Sequence, residues 1–229
     1  MHEAIAIWSP REGGFPEEGP GDRGHRLVWR MFGDGSGTAR DFLYQPITLS
    51  PLRVVLRSAR PPVERGGWTV ECCRSFAPAL AAGDRLAFRV ACVPTRWRPR
   101  PDKRRGAREH LAQAVRRLHP GIEADPDAYG RALDTAARAW LAMQGEQHGF
   151  RIDPNRLAVS GWEAWSFRRA GARSLAFDSF IFEGVLIVEN PNDVQTGFRI
   201  CLHRGIGAER AFGFGLLQVA PAPAGPHDH

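Results

Sequence analysis

Residues 25–32 read HRLVWRMF, and the fold turns on whether this stretch is a helix. Leu27, Val28, Met31 and Phe32 fall at i, i+1, i+4 and i+5, which gathers four apolar side chains on one stripe of a helix but scatters them over both faces of a strand. Asp22 upstream supplies an N-cap and Gly33 downstream a stop. A helix is therefore expected. Before it, EAIAIW (3–8) alternates as a short strand, and residues 10–21, rich in Gly, Pro and Glu, form a loop. After it, ARDFLYQP (39–46) and PLRVVLRSAR (51–60) read as two strands joined by a turn around Pro46 to Pro51. WTVECCRSF (68–76) reads as a short strand, and DRLAFRVACVP (84–94) alternates well enough to close the unit. Residues 1–94 thus give roughly β-α-β-β-(short α)-β, the ferredoxin-like order, a common RNA-binding platform.

The remainder repeats much of that order. REHLAQAVRRLH (108–119) and AYGRALDTAARAWLAMQGEQHG (128–149) have helical periodicity. LAVSGWEAWSFRR (157–169) and SLAFDSFIFEGVLIVEN (174–190) are two strands around a basic turn. NDVQTGFRICLHRG (192–205) is a short helix and FGFGLLQVAP (212–221) a final strand. The expected class is α+β, with two tandem ferredoxin-like (RRM-like) domains and an arginine-rich helical insertion. The first domain covers 1–94, an arginine-rich segment with helices opening the second covers 95–150, the rest of the second covers 151–221, and 222–229 is a tail.

Composition narrows the function. A chain of 229 residues holds two small cores, and with 43% hydrophobic residues but no apolar run near 18 residues it offers no membrane-spanning helix, so a cytoplasmic protein is expected. Cys72, Cys73, Cys92 and Cys201 form neither a CxxC pair nor a disulfide framework and read as core thiols. The eight histidines are scattered apart from His227 and His229 in the tail, so no metal and no cofactor are expected. The net charge is +6, and every basic residue but Lys103 is arginine, the group that pairs bidentately with phosphate. Residues 96–108, RWRPRPDKRRGAR, hold seven basic residues against Asp102 alone, with Trp97 interleaved. A run of this kind is often a solvated face, but in a chain of pI near 9.9 it favours a polyanion.

The glycine-rich stretch GIGAERAFGFGLLQVAP (205–221) has Gly205, Gly207, Gly213 and Gly215 around Arg210. It follows a helix, whereas a dinucleotide-binding GxGxxG follows a strand, so that reading fails. Two readings stay open: a glycine C-cap leading into a bulged strand, or a crowded loop whose amides and Arg210 face a phosphate backbone. Arg168, Arg169 and Arg173 flank the tight turn FRRAGAR, and Arg23, Arg26 and Arg30 lie around the first helix; each set is either a solvated face or a phosphate grip. Trp162 and Trp165 fall on opposite faces of a strand, with packing the expected use, and Glu183, a charge in an apolar strand, is expected to be a core or inter-domain partner to an arginine.

Taken together, G-I-G-x-x-R-x-x-G-x-G-L-L near the carboxyl end, FEGVL at 182–186, ARDFLY at 39–44 and RLAFRV followed by Pro94 resemble the CRISPR repeat-processing endoribonucleases, most closely the CasE type of type I-E systems. The resemblance implies tandem ferredoxin-like domains that bind a stem-loop of CRISPR repeat RNA and cut at its 3′ base without metal. It also implies that the protein stays on the crRNA as a subunit of a multi-subunit effector complex. It assigns His25, on the first helix, to cleavage, and Gly205, Gly207, Arg210, Gly213 and Gly215 to the RNA surface. Where some relatives carry a tyrosine three residues before the histidine, this chain has Asp22. The arginine-dense insertion, with Arg98, Arg100, Arg104 and Arg105, is similar to that of the type IV CRISPR guide-RNA endonucleases. A non-catalytic stem-loop-binding subunit stays open beside the nuclease.

Overall fold

The computed structural model describes residues 1–9, 22–33, 40–99, 106–167 and 175–223. Strand β1 (His2–Trp8) precedes helix α1 (Asp22–Trp29), which tightens into a 3-10 turn at Arg30–Phe32 and stops on Gly33 at φ 116°. Leu27, Val28, Met31 and Phe32 are all buried, in one cluster with Ala4, Ala6 and Trp8. Strands β2 (Phe42–Leu49) and β3 (Leu52–Ser58) form a hairpin contributing Phe42, Tyr44, Val54 and Leu56 to that cluster, and β4 (Trp68–Ser75) completes the sheet. The order is β2-β3-β1-β4, antiparallel throughout, with irregular chain instead of a helix between β3 and β4.

The strand expected to close this sheet belongs to the next one. β5 (Arg85–Cys92) leads into a ribbon of β6 (Thr95–Arg98) and β7 (Ala107–His110), then helices α2 (Leu111–Leu118) and α3 (Pro126–His148). The long strands β8 (Phe150–Phe167) and β9 (Leu175–Val188), helix α4 (Phe198–Arg204) and strand β10 (Gln218–Pro221) follow. The second sheet runs β10-β5-β9-β8, the same permutation as the first, with β5 as its first strand. The cause lies in cover: Phe88, Val90 and Cys92 of β5 need an apolar partner face, and the larger core of α2, α3 and α4 supplies it. Edge position is left to β4, so its Cys72 and Cys73 are exposed rather than core thiols, while Cys92 and Cys201 are buried and burial pushes the Cys201 thiol up to about 12.

Three further expectations change. The arginine-dense segment is not helical at its described ends; it forms the β6–β7 ribbon, and helix begins only at Leu111, whose N–H donates to the Pro94 carbonyl at 3.1 Å. The helix read from residue 192 starts at Phe198, because Asp193 Oδ1 accepts from the amides of Gln195 and Thr196 and holds that segment as a turn. The final strand is confined to Gln218–Pro221, since the glycines before it take positive φ.

The two sheets are welded by Arg57, which is 2% exposed. Its Nη1 donates to the carbonyls of Leu202 and Leu217, both at 3.0 Å, Nη2 donates to Glu3 at 2.8 Å, and the guanidinium lies 3.8 Å over the Phe76 ring. Leu43, Val55 and Leu216 add an apolar contact at the same seam. No described helix is long and apolar enough to cross a membrane.

Candidate nucleic-acid interface

The glycine loop between α4 and β10 folds back on itself. Gly205, Gly207, Gly213 and Gly215 have φ of 69°, 78°, 91° and 84°, a region that side chains strain to enter. A Cβ on Gly205 would run into the Gly215 carbonyl, and one on Gly215 into the Ile206 carbonyl, so the strands of the loop touch where only glycine fits. The amides of Gly205, Gly213 and Gly215 donate to Cys201, Arg210 and Ala91, with the last bond at 2.7 Å. Those three N–H groups are thus engaged inside the protein rather than turned toward a ligand. The glycines serve close packing, and the loop's outward chemistry is left to Arg210.

That packing brings the loop onto the first sheet. Tyr44 Oη donates to the Ala211 carbonyl at 3.1 Å, Gly213 abuts Pro46 and Tyr44, and the 3-10 turn Arg210–Phe212 packs on α1. Burial raises the Tyr44 phenol well above its ordinary value, so it stays a neutral donor. His25 is half-buried on α1. Its Nε2 accepts from Trp29 Nε1, one turn on, at 3.0 Å, and its ring centroid lies 6.0 Å from that of Phe42. With Nε2 accepting, the neutral imidazole carries its proton on Nδ1.

Beside Phe42 lies a pocket of about 390 Å³, lined by Arg40, Arg57, His203, Arg204 and Arg210 among others. Arg210 Nη1 donates to the Arg204 carbonyl at 2.6 Å. Burial pushes the Arg40 guanidinium below its usual range, and Arg210 adds to the effect. Burial does the same to Arg210, reinforced by Arg108 and Arg204. All stay charged at neutral pH. Many other described arginines have carboxylate partners, such as Arg53 with Glu71, Arg60 with Asp41 and Arg117 with Glu109. Arg40, Arg108, Arg204 and Arg210 have none among the described residues. Arg40 and Arg210 are half-buried, and Arg108 and Arg204 are exposed. Asp41 also lines the pocket but is held by Arg60. Cations gathered in this way are unfavourable alone and favourable around an anion.

Of the residues expected from sequence, His25 and Arg210 come to adjoining elements. Arg26 is exposed on the His25 helix, and Arg30 leans its aliphatic stem on Gly66. Arg98 is exposed, 3.8 Å from Glu109. The side chain of Arg23, and Arg100, Arg104, Arg105, Arg168, Arg169 and Arg173, lie outside the described residues. Glu183 does pair with an arginine, Arg89 across β9 and β5, but on the exposed face of one sheet rather than in the core or between domains. Trp165 donates to Ser179 Oγ at 2.8 Å and packs on Phe214, while Trp162 stands edge-on to Tyr129 at 5.7 Å. Sequence reading missed Arg40, Arg108 and Arg204. Arg40 opens the ARDFLY strand and Arg204 adjoins Gly205, but neither position signals that the two arginines meet across the two units.

The family model described as CRISPR associated protein matches residues 17–221. The Cascade subunit CasE of Escherichia coli (strain K12) is 27% identical over 201 residues, covering 86% of this chain and 90% of that protein. The CRISPR-associated endoribonuclease Cse3 of Thermus thermophilus is 27% identical over 208 residues, covering 86% and 80%. Among solved structures, a CRISPR endoribonuclease Cse3 bound to a 19-nucleotide RNA has a TM-score of 0.67 at 22% identity, covering 96% of this chain and 99% of that one. Cas6e of E. coli K-12 gives 0.57 at 21%, covering 97% and 100%. These structural likenesses carry the fold, tandem ferredoxin-like domains. With the model spanning all but the two ends and both relatives aligned along most of their length, the chain belongs to the CRISPR associated protein family, as a CasE-like member.

Proposed function

We propose that the chain is an endoribonuclease that cuts CRISPR repeat RNA at the 3′ base of its stem-loop, without metal, and stays on the crRNA within a multi-subunit effector complex. The observation that carries this reading is the meeting of the His25 helix with the glycine loop, the end of α4 and the segment leading into β2, whose Arg210, Arg204 and Arg40 have no carboxylate partner among the described residues. The names of the relatives support it: one is an endoribonuclease, and solved neighbours include an RNA-bound form and a CRISPR RNA-guided surveillance complex.

The chemistry follows from these groups. A ribose 2′-OH loses its proton and attacks the adjacent phosphorus, the P–O5′ bond breaks, and the 5′ oxygen leaves as a protonated hydroxyl, with a 2′,3′-cyclic phosphate remaining. His25 Nε2 exchanges its Trp29 hydrogen bond for the 2′-OH and takes the proton, or in its charged form protonates the leaving oxygen. The arginines stabilise the extra charge that develops on the phosphoryl oxygens. Incubation of the protein with its repeat RNA in EDTA tests this. One cut with a cyclic phosphate end is expected, reduced at least about 100-fold in His25→Ala while binding persists. The engagement of Nε2 by Trp29 favours one alternative, a crRNA stem-loop-binding subunit that does not cut. Tight binding by the wild type with no cleavage would select it.

A further inference from the structure

Trp97 is 62% exposed, a large apolar side chain on a two-stranded ribbon that has no core of its own to pack. Its indole is nevertheless held. The backbone of Gly106 passes beneath it so closely that a Cβ there would lie 2.6 Å from Nε1 and 2.7 Å from Cε2. The root of the ribbon is pinned too, by Trp140 Nε1 donating to the Thr95 carbonyl at 3.0 Å and by the Leu111 amide on Pro94. The ring is thus backed by protein at its Nε1 and Cε2 atoms, and most of it meets solvent.

The surroundings identify the ligand. Arg108 is the cross-strand partner of Trp97, so both stand on the same face of the ribbon. Arg108 has no carboxylate partner among the described residues and is near enough to act electrostatically on Arg210 in the glycine loop. A line of cations with no carboxylate partner among the described residues therefore runs from the Arg40–Arg204–Arg210 pocket to the foot of an exposed indole. An aromatic platform flanked by guanidinium groups matches a nucleotide, with the ring stacking the base and the arginine taking its phosphate. Inside a stem both faces of each base are already stacked, and a terminal pair offers only its outer face, so an unpaired base is the one free to lie against the ring beside its own phosphate. Resting on the RNA-binding reading above, we propose that Trp97 is a stacking site for one unpaired nucleobase flanking the repeat stem, with Arg108 on the adjoining phosphate.

The test compares Trp97→Ala, Trp97→Leu and Trp97→Phe with the wild type on two RNAs, the bare stem-loop and the same stem with its single-stranded flanks. On the flanked RNA, Trp97→Ala is expected to bind roughly 10- to 100-fold more weakly, Trp97→Leu nearly as weakly, and Trp97→Phe close to wild type. On the bare stem all four bind alike. An abasic substitution at one flanking position should reproduce the loss in the wild type and add nothing in Trp97→Ala. Equal binding of the flanked RNA by Trp97→Ala overturns the stacking site, as does a loss equally large on the bare stem, or a defect seen only in association with other protein subunits. Failure of the wild type to bind even the bare stem-loop sinks the RNA-binding reading itself.

Discussion

Arg57 shows how one side chain can hold two domains in place. It is a charge taken out of water, and burial lowers its pKa, but Glu3, two carbonyls and the Phe76 ring compensate at Nη1, Nη2 and the guanidinium face, while Nε is buried with no hydrogen-bond partner among the described residues. Removing it leaves Glu3 and both carbonyls short of a partner, so Arg57→Ala is expected to destabilise by about 3–5 kcal/mol in denaturant unfolding. Arg57→Lys, which has no fork to span three acceptors, should fall between. The effect depends on pH. Burial pushes the Glu3 carboxyl up, but the bonds from Arg57 and Arg74 outweigh it and hold the carboxyl below its ordinary value. Its contribution is therefore fully present above the unfolded carboxylate pKa and lost as pH falls through the lowered folded one. The stability gap between wild type and Arg57→Ala should narrow across that acid range, and a gap independent of pH would show that the charge pair is not its source.

At the scale of the element, the glycine loop and the cation it carries should separate cleanly. Gly215→Ala places a methyl group against the Ile206 carbonyl at positive φ and is expected to lower stability by roughly 2 kcal/mol or more, with RNA binding falling because the loop moves. Arg210→Ala removes a half-buried cation crowded by Arg108 and Arg204 and should leave the melting temperature unchanged or slightly raised, while weakening RNA binding. A thermal scan beside an RNA titration checks both; a large drop in melting temperature for Arg210→Ala would make its role structural. The loop also shows what its sequence could convey. Four glycines flag tight backbone, correctly, and of the two readings their sequence leaves open the inward one holds for three of their amides, which bond within the protein.

Over the whole molecule, the same sheet permutation appears twice, and the face where the two copies meet gathers arginines from the segment leading into β2, the ribbon, α4 and the glycine loop. Each phosphate neutralised by such a group releases counterions, so RNA affinity should fall steeply with salt. Neutralising Arg40, Arg204 and Arg210 together is expected to flatten the log K against log salt slope by about 2–3, whereas Arg89→Gln, whose charge already faces Glu183, should leave it unchanged. Binding measured from low to moderate salt decides this, and an unchanged slope in the triple variant would place the RNA on another face.

The sequence by itself determined most of the elements and their kinds, but not the β6–β7 ribbon, the irregular chain between β3 and β4, or the short extents of α4 and β10. HRLVWRMF is a buried helix because its apolar spacing has the helical period, and the order of strands and helices follows from such local patterns and from turn residues. The tight backbone of the glycine motif and an arginine partner for Glu183 could likewise be anticipated from sequence, though not that the partner is Arg89. Only the tertiary structure decided which sheet receives Arg85–Cys92, that Arg57 clamps Leu202 and Leu217, and that Arg40 meets Arg204 and Arg210. Alternation tells a strand which side faces inward but not which neighbour lies beside it, and an arginine's spacing does not reveal whether a carboxylate waits across the fold. Those outcomes depend on contacts between residues more than a hundred positions apart, made when two apolar faces close over each other.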